Sequence, residues 1–382
     1  MNWTPQKRLY AALSGNMPDR VPTLPKIWVD LAARLTKTPP QSIIEDQALV
    51  MSTVVKAGMD VGADAARLFF LPARKTQWDG GHLIEVNDQG RRIGTIDLAG
   101  GWATHLESAD DFDLENPYHI AFRAFRKHGA ARILDVDGAR RIAIPDRSFW
   151  HEQFAQPIEA ARQQAGKQIA LVGDCDSATL AWYIEFRGMQ RAMMDLIEHP
   201  KLVHAVMERG VEYAVERGKF CIDQGLPILR LNDSVANMSV ISPKLWRQFI
   251  LPHMKQVCEE LHAYNSNVKI YCHICGNILP VVNDILATGL DCIGPLDPLG
   301  GFTCGEIRAL VGDGVPLMGG VNTLSFVQSG PEELLEEALA CIDAAGRTGP
   351  YILGSGCVIP PACKRENLLA LSQAAEQAEI PG

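Results

Sequence analysis

The chain has no basic run. Its 382 residues carry 36 Lys and Arg against 45 Asp and Glu, a formal charge of −9. Without clustered cations, neither nucleic acid nor an anionic membrane surface is the expected partner. A small substrate or another protein is expected instead. No stretch approaches the roughly 18 consecutive apolar residues of a membrane span. The opening segment MNWTPQKRLYAAL has no apolar core behind a basic stretch, so a cytoplasmic protein is expected. No low-complexity linker divides the chain, and no GxGxxG turn follows the first strand-like run, which weighs against an open dinucleotide-binding sheet.

What is present is ordinary globular material, 47% apolar and 21% charged, with length for a large core. The ten cysteines, without a secretory signal, read as reduced thiols rather than a disulfide framework. Cys221, Cys258, Cys292 and Cys341 lie in apolar surroundings and read as small buried hydrophobes.

Eight β-rich runs bounded by Gly, Pro, Asn or Asp recur: VPTLPKI from Val21, AARLFF from Ala65, IALVGD from Ile169, ILRLND from Ile228, VKIYCH from Val268, DCIGPLD from Asp291, VPLMGG from Val315 and YILGSGC from Tyr351. Helical patterns separate the later ones. Ser242-Pro243 opens a helix through Tyr264 that Pro252 should kink, and Pro331 opens another that stops at Gly346. This alternation predicts α/β architecture, a closed (β/α)8 TIM barrel in preference to a doubly wound sheet. Between the second and third runs, Asn87-Asp88-Gln89-Gly90 sits amid alternating apolar residues and predicts an antiparallel β-hairpin inserted at about 76–103, followed by a helix over NPYHIAFRAFRKHGAARIL. Residues 1–382 are therefore expected to form a single barrel domain with this insertion.

In a parallel barrel the C-terminal strand ends share one rim, where barrel enzymes keep their chemistry. The residues there are polar and ligand-like: Asp174 and Asp176, Asn232 and Asp233, His273 and Cys275, Asp297, Asn322 and Cys357. In extended chain, residues i and i+2 project to the same side, so His273 and Cys275 can approach one ion together. Cys357 ends another strand facing the same mouth, and GSGC places glycines at 354 and 356 where backbone must come close. One imidazole and two thiolates, with a fourth position left for substrate, is a catalytic zinc pattern, and sulfur ligands favour zinc over magnesium or calcium. Cys272 should point away from His273, and Cys363 lies in a turn beyond the strand. Asp233 and Asn232 are candidates for orienting substrate or moving protons, or else for capping a loop. Asp174, Asp297 and Asn322 are candidate substrate contacts, while Glu306 should be a solvated helix residue.

At HICGN, at DPLGGFTCGEIRALVGDGVPLMGGVN and at YILGSGCVIPPACKRENLLAL the chain resembles the uroporphyrinogen decarboxylase superfamily, and within it the zinc-dependent, corrinoid-linked methyltransferases of the methylcobamide:coenzyme M and O-demethylase type. The resemblance is densest from about residue 225 onward, with RLYAALSGNMPDRVP in keeping. It implies a (β/α)8 barrel and carries the family's HxC…C zinc triad onto His273, Cys275 and Cys357. It also implies methyl transfer between a small methylated donor or thiol acceptor and a corrinoid. True decarboxylases have an RQAGR segment after the first strand, where this chain has PKIWVDLAARL, and they lack the cysteine ligands.

No DxHxxG cobalamin signature occurs here, so the cobalamin is expected on a partner corrinoid protein docking at the rim. Met238, Trp246 and Trp28 are there either as apolar docking surface or as core. A homodimer is in keeping with the relatives. The alternatives are a zinc-dependent thiol alkyltransferase or lyase joining an epoxide and a thiol, a decarboxylase-like enzyme, and a non-catalytic scaffold.

Overall fold

The computed structural model describes residues 3–129, 132–133 and 135–378. Among these described residues, twelve strands form two sheets. The larger, in the order β1 (Ala65–Arg67), β7 (Ala170–Asp176), β8 (Ile228–Asn232), β9 (Lys269–His273), β10 (Cys292–Leu296), β11 (Leu317–Val321) and β12 (Tyr351–Ser355), is parallel throughout. The first run in the sequence closes the ring. Leu24 N–H donates to Leu353 O at 2.8 Å, Leu353 N–H donates to Pro22 O at 2.9 Å, and Ala65 N–H on the other side donates to Thr23 O at 3.1 Å. This run contributes a single bridge, Thr23 with Leu353, because Pro22 and Pro25 have no N–H to give to a ladder. All eight expected strand positions are thus occupied in a closed α/β barrel.

One layer of the barrel interior is Leu24, Ala65, Val172, Ile228, Tyr271, Cys292, Met318 and Ile352, plugged from the N-terminal side by Leu9, Ala12 and Leu13 of the helix Pro5–Leu13. The helix packs there because its Leu and Ala face has nowhere else to be buried. Strand alternation fixes what comes next: two residues beyond each lining position, the inward side chains on one half of the barrel are Lys26, Arg67, Asp174, Arg230 and His273. The outer layer of helices is held by the main apolar core.

The expected helix after Ser242 forms as Pro243–Leu245, a π turn over Trp246–Ile250 and an α-helix Leu251–Tyr264. Pro252 has no N–H to bond back to Gln248, and the ladder absorbs this by slipping one residue rather than ending. Among the described residues, no helix is long and apolar enough to cross a membrane.

The insertion is larger than a hairpin. β2 (Thr76–Asp79), β3 (His82–Val86), β4 (Arg92–Ile96), β5 (Thr104–Leu106) and β6 (Arg126–Lys127) make a second sheet, antiparallel except between β5 and β6. Its first turn is Gly80-Gly81, both at positive φ, the conformation that a two-residue hairpin loop requires. The helix expected over residues 116–134 is only Pro117–Ala121, followed by a 3-10 turn and β6; residues 130, 131 and 134 of that segment lie outside the described residues. Helix propensity loses here to pairing with β5 and to a buried ion pair, Arg126 to Glu85 at 3.1 Å.

Candidate metal centre and its chamber

β9 delivers His273 inward at its last position, and the chain then turns at Gly276, which sits at φ +74°. Asp297, at the end of β10, holds that turn: one carboxylate oxygen accepts from Gly276 N–H at 3.1 Å and the other from Leu299 N–H at 3.1 Å. Cys275 is thereby fixed beside His273. Cys357 arrives from the far side of the barrel through Gly356, whose N–H donates to Val321 O at 2.8 Å. A Cβ on Gly356 would stand 2.8 Å from Asp297 Cα, so only glycine lets this strand end approach so closely.

His273 Nε2 lies 2.7 Å from Cys275 Sγ, the two sulfurs are 2.9 Å apart, and Cys357 Sγ is 3.7 Å from His273 Nε2. The three donor atoms fall within 4.8 Å of one another. Among the described residues this is the cluster of three or more His, Cys, Asp or Glu side chains that could hold a metal ion. Burial, reinforced by Lys26, Arg230 and Arg67, pushes the His273 imidazole well below its ordinary range, so it is neutral. The hydrogen bond from Cys275 and the positive Lys26 outweigh burial at Cys357 and bring its thiol down to about 6, while Cys275 is pushed up by the Cys357 sulfur and by burial. Cys357 is therefore the more acidic of the two thiols. A neutral imidazole and two sulfurs converging from two strands make a borderline-soft donor set that fits zinc.

The donors face a chamber of about 510 Å³, walled by Trp28, Phe69, Phe70 and Phe125 and lined by Arg67, Asp174, Arg217, Arg230 and Asn232. Trp28 packs edge-on against Phe69 and Trp102. Gly100, Gly101 and Ala103 of the inserted segment roof one side. Asp174 accepts ion pairs from Arg230 at 2.9 Å, Arg67 at 3.2 Å and Arg217 at 3.4 Å. Burial opposes its ionisation, but the three guanidinium groups prevail and hold it at about 2. Asp176, at φ +64°, binds Arg123 and Arg217 at 3.3 and 3.2 Å. Glu185, which pairs with Arg123 at 2.6 Å, is pushed up to about 7 by burial.

The other candidate residues divide. Asp174 and Asn232 line the chamber, and Asn232 accepts from Arg230. Asp297 acts through the Gly276 turn. Asp233 points away: it accepts from the Thr179 hydroxyl and from Leu180 and Ala181 N–H at 2.9 and 2.8 Å, capping the helix Leu180–Arg187, so its expected catalytic placement is not met. Asn322 caps its own loop through Leu324 N–H at 3.0 Å, and Met238 packs against the outer core with its N–H on Asn277 O; neither lines the chamber. Trp246 is buried, its indole N–H on Ala236 O at 3.0 Å. Cys272 and Cys363 are buried elsewhere, and Glu306 closes a capping box with Thr303 at the surface. Lys26, Arg67, Arg217 and Arg230 were not singled out from the sequence. Their signal was there for three of them, a cation two places beyond an inward apolar residue.

A parallel barrel carrying an imidazole and two thiols at the C-terminal mouth defines an enzyme-like class of α/β barrel. The comparisons place it further: residues 130–378 match the uroporphyrinogen decarboxylase (URO-D) family, and the chain belongs to that family. It is 27% identical over 183 residues to a methylated-thiol–coenzyme M methyltransferase of Methanosarcina mazei, a match covering 48% of this chain and 46% of the relative. It is 22% identical to a methylcobamide:CoM methyltransferase of Methanosarcina barkeri over 64% of this chain and 67% of the relative. The chain thus spans about half to two-thirds of these relatives' lengths, and uroporphyrinogen decarboxylases stand among its further relatives. A methyltransferase structure from Methanosarcina mazei shares the fold over 98% of this chain and 99% of its own, with a TM-score of 0.70 at 17% identity.

Proposed function

We propose that the protein is a zinc-dependent methyltransferase moving a methyl group between a small methylated donor or thiol acceptor and a corrinoid carried by a partner protein. The observation that carries this reading is the convergence of His273, Cys275 and Cys357 within 4.8 Å at the edge of a chamber large enough for substrate. The methyltransferase relatives support it, and the two cysteines and the missing RQAGR segment weigh against porphyrinogen decarboxylation.

His273 Nε2, Cys275 Sγ and Cys357 Sγ would hold the ion. When bound, zinc supplies a Lewis acid that keeps a substrate thiol deprotonated, or withdraws charge from an ether or thioether oxygen or sulfur. The chain's own groups do the rest. Asp297 fixes the turn carrying Cys275, and Gly356 lets Cys357 close from the opposite strand end. Trp28, Phe69, Phe70 and Phe125 exclude water from the reacting atoms. The chamber opens at the rim, where a partner's corrin ring can face it.

Metal analysis of protein purified without chelator should give about one zinc per chain. Methylcobalamin with a panel of thiols, and reduced cobalamin with methylated donors, should show turnover in the cobalt absorption bands. Protein that binds no zinc, or a Cys275→Ala/Cys357→Ala double variant that binds it as well as the parent, removes the assigned centre. Turnover of an epoxide and a thiol with no cobalamin present would replace this reading with the alkyltransferase one.

A further inference from the structure

A second pair of cysteine sulfurs meets away from the metal centre, in the outer layer between the helices that follow β10 and β11. Cys304 is the first residue of the helix Cys304–Val311, which Thr303 caps, and Cys341 lies towards the end of the helix Pro331–Ala345. The two sulfurs are hydrogen-bond neighbours. The Tyr351 hydroxyl, at the start of β12, stands 3.8 Å from Cys304 Sγ. Gly320 of β11, at φ +105°, makes the room for all three. A Cβ there would collide with Cys304 Sγ and stand 2.9 Å from the Tyr351 hydroxyl oxygen and 3.2 Å from Cys341 Sγ, so the groups occupy space that only glycine leaves open.

The two thiols are unequal. Cys304 is buried, whereas Cys341 is partly exposed and gives small molecules a way in. The hydrogen bond with Cys341 outweighs burial and lowers the Cys304 thiol, while the same contact and burial raise Cys341. A position in the first turn of a helix favours the thiolate of Cys304 further. A nucleophilic thiolate beside a thiol that keeps its proton is the arrangement in which a first oxidation product is resolved as a disulfide. The cysteines at 175, 221, 258, 272, 292 and 363 are all buried, and a buried thiol in apolar surroundings is inert.

We propose that Cys304 and Cys341 form a redox modification site, a dithiol that a small peroxide converts to an intramolecular disulfide and that a thiol reductant restores. In the first step the Cys304 thiolate attacks one peroxide oxygen, the O–O bond breaks, and the departing hydroxide takes a proton and leaves as water. Cys304 is then a sulfenic acid. In the second step the Cys341 sulfur attacks the Cys304 sulfur, the S–O bond breaks, and the Cys341 proton leaves with the hydroxyl as a second water. Two electrons pass from the sulfurs to the peroxide. The new bond ties the start of one helix to its neighbour. The segment that leads into that helix begins at Asp297, which holds the Gly276 turn, and passes Gly300, which packs on the Gly276 backbone. The modification therefore fixes chain adjoining the metal centre without consuming its ligands, and it does not depend on the function proposed above.

The test is peptide mapping of the full chain. Zinc-loaded protein and the Cys275→Ala/Cys357→Ala variant are exposed to a small excess of hydrogen peroxide, remaining thiols are alkylated, and unreduced peptides are identified by mass spectrometry. A cross-link between the peptides carrying Cys304 and Cys341 should be the first oxidation product in both, at least about tenfold faster than modification of any other cysteine, and dithiothreitol should reverse it. Cys341→Ser should abolish the cross-link and let Cys304 proceed to the sulfinic acid. Cys304→Ser should remove the fast reaction altogether, and neither substitution should change the zinc content. The proposal is overturned if Cys304 and Cys341 stay open to alkylation after peroxide, or if another cysteine is oxidised before them in either protein. The variant lacking both metal-centre sulfurs makes this outcome independent of whether that centre holds zinc.

Discussion

Arg230 Nη2 lies 3.2 Å from His273 Nδ1. A guanidinium can only donate, so in this arrangement Nδ1 accepts and the ring proton sits on Nε2, aimed at Cys275 Sγ 2.7 Å away. Metal uptake through Nε2 requires that proton to leave and Nδ1 to carry one, which sets Arg230 against the bound state. Glutamine at 230 could accept from Nδ1–H. Arg230→Gln should therefore tighten zinc by about tenfold, measured by competition with a chromophoric chelator. An unchanged or weaker zinc affinity would show that Arg230 does not control the ring.

In the proposed centre each sulfur is one of three protein ligands. Replacing either by alanine should weaken zinc by about 100-fold or more, given that the full ligand set of a structural site contributes on the order of 10 kcal/mol or more. The loss should be seen in metal content after dialysis against a mild chelator, with unfolding midpoints of the metal-free proteins nearly unchanged. A retained full complement of metal in both variants would remove Cys275 and Cys357 from the centre.

Gly356→Ala brings a methyl to 2.8 Å from Asp297 Cα and from Pro298 Cδ and to 2.9 Å from Leu296 O, backbone and proline-ring atoms that cannot swing aside. The strand end carrying Cys357 must shift. We expect a loss of about 1–3 kcal/mol in stability from the overpacking, together with weaker metal binding, read by denaturant melts and zinc titration. A variant equal to the parent in both would mean that the strand ends have room to part.

His253 is buried beside His204, with His253 Nε2 3.0 Å from His204 Nδ1. Burial, then the neighbouring imidazole, brings His253 down to about 4. A histidine depressed in the folded state binds its proton more readily when unfolded. Stability is thus fully retained above about pH 6.5 and falls as pH drops towards about 4, by roughly 3 kcal/mol at the limit. Urea melts across this range should show that slope, and His253→Leu should flatten it; an unchanged slope in the variant assigns the acid sensitivity elsewhere.

Strand positions and the candidate ligands were readable from the linear chain because both depend on short-range rules. β-rich runs bounded by Gly and Pro mark strands, and period-two alternation places His273 and Cys275 on one side. The local rules failed where distant partners competed. Residues 116–129 read as helix but give up most of it to a pairing with β5 and to Glu85, and Asp233 reads as a mouth residue but is taken by the N-terminus of the helix Leu180–Arg187.

By itself the sequence determined the α/β barrel class, the eight strand positions and the three soft donors, since each is encoded in residue type and spacing. Tertiary closure alone decided that Lys26, Arg67, Arg230 and His273, from four separate strand positions, meet in one layer with Asp174. The sign and balance of charge inside the chamber belong to the closed ring, because electrostatic interaction depends on distance in space and not along the chain.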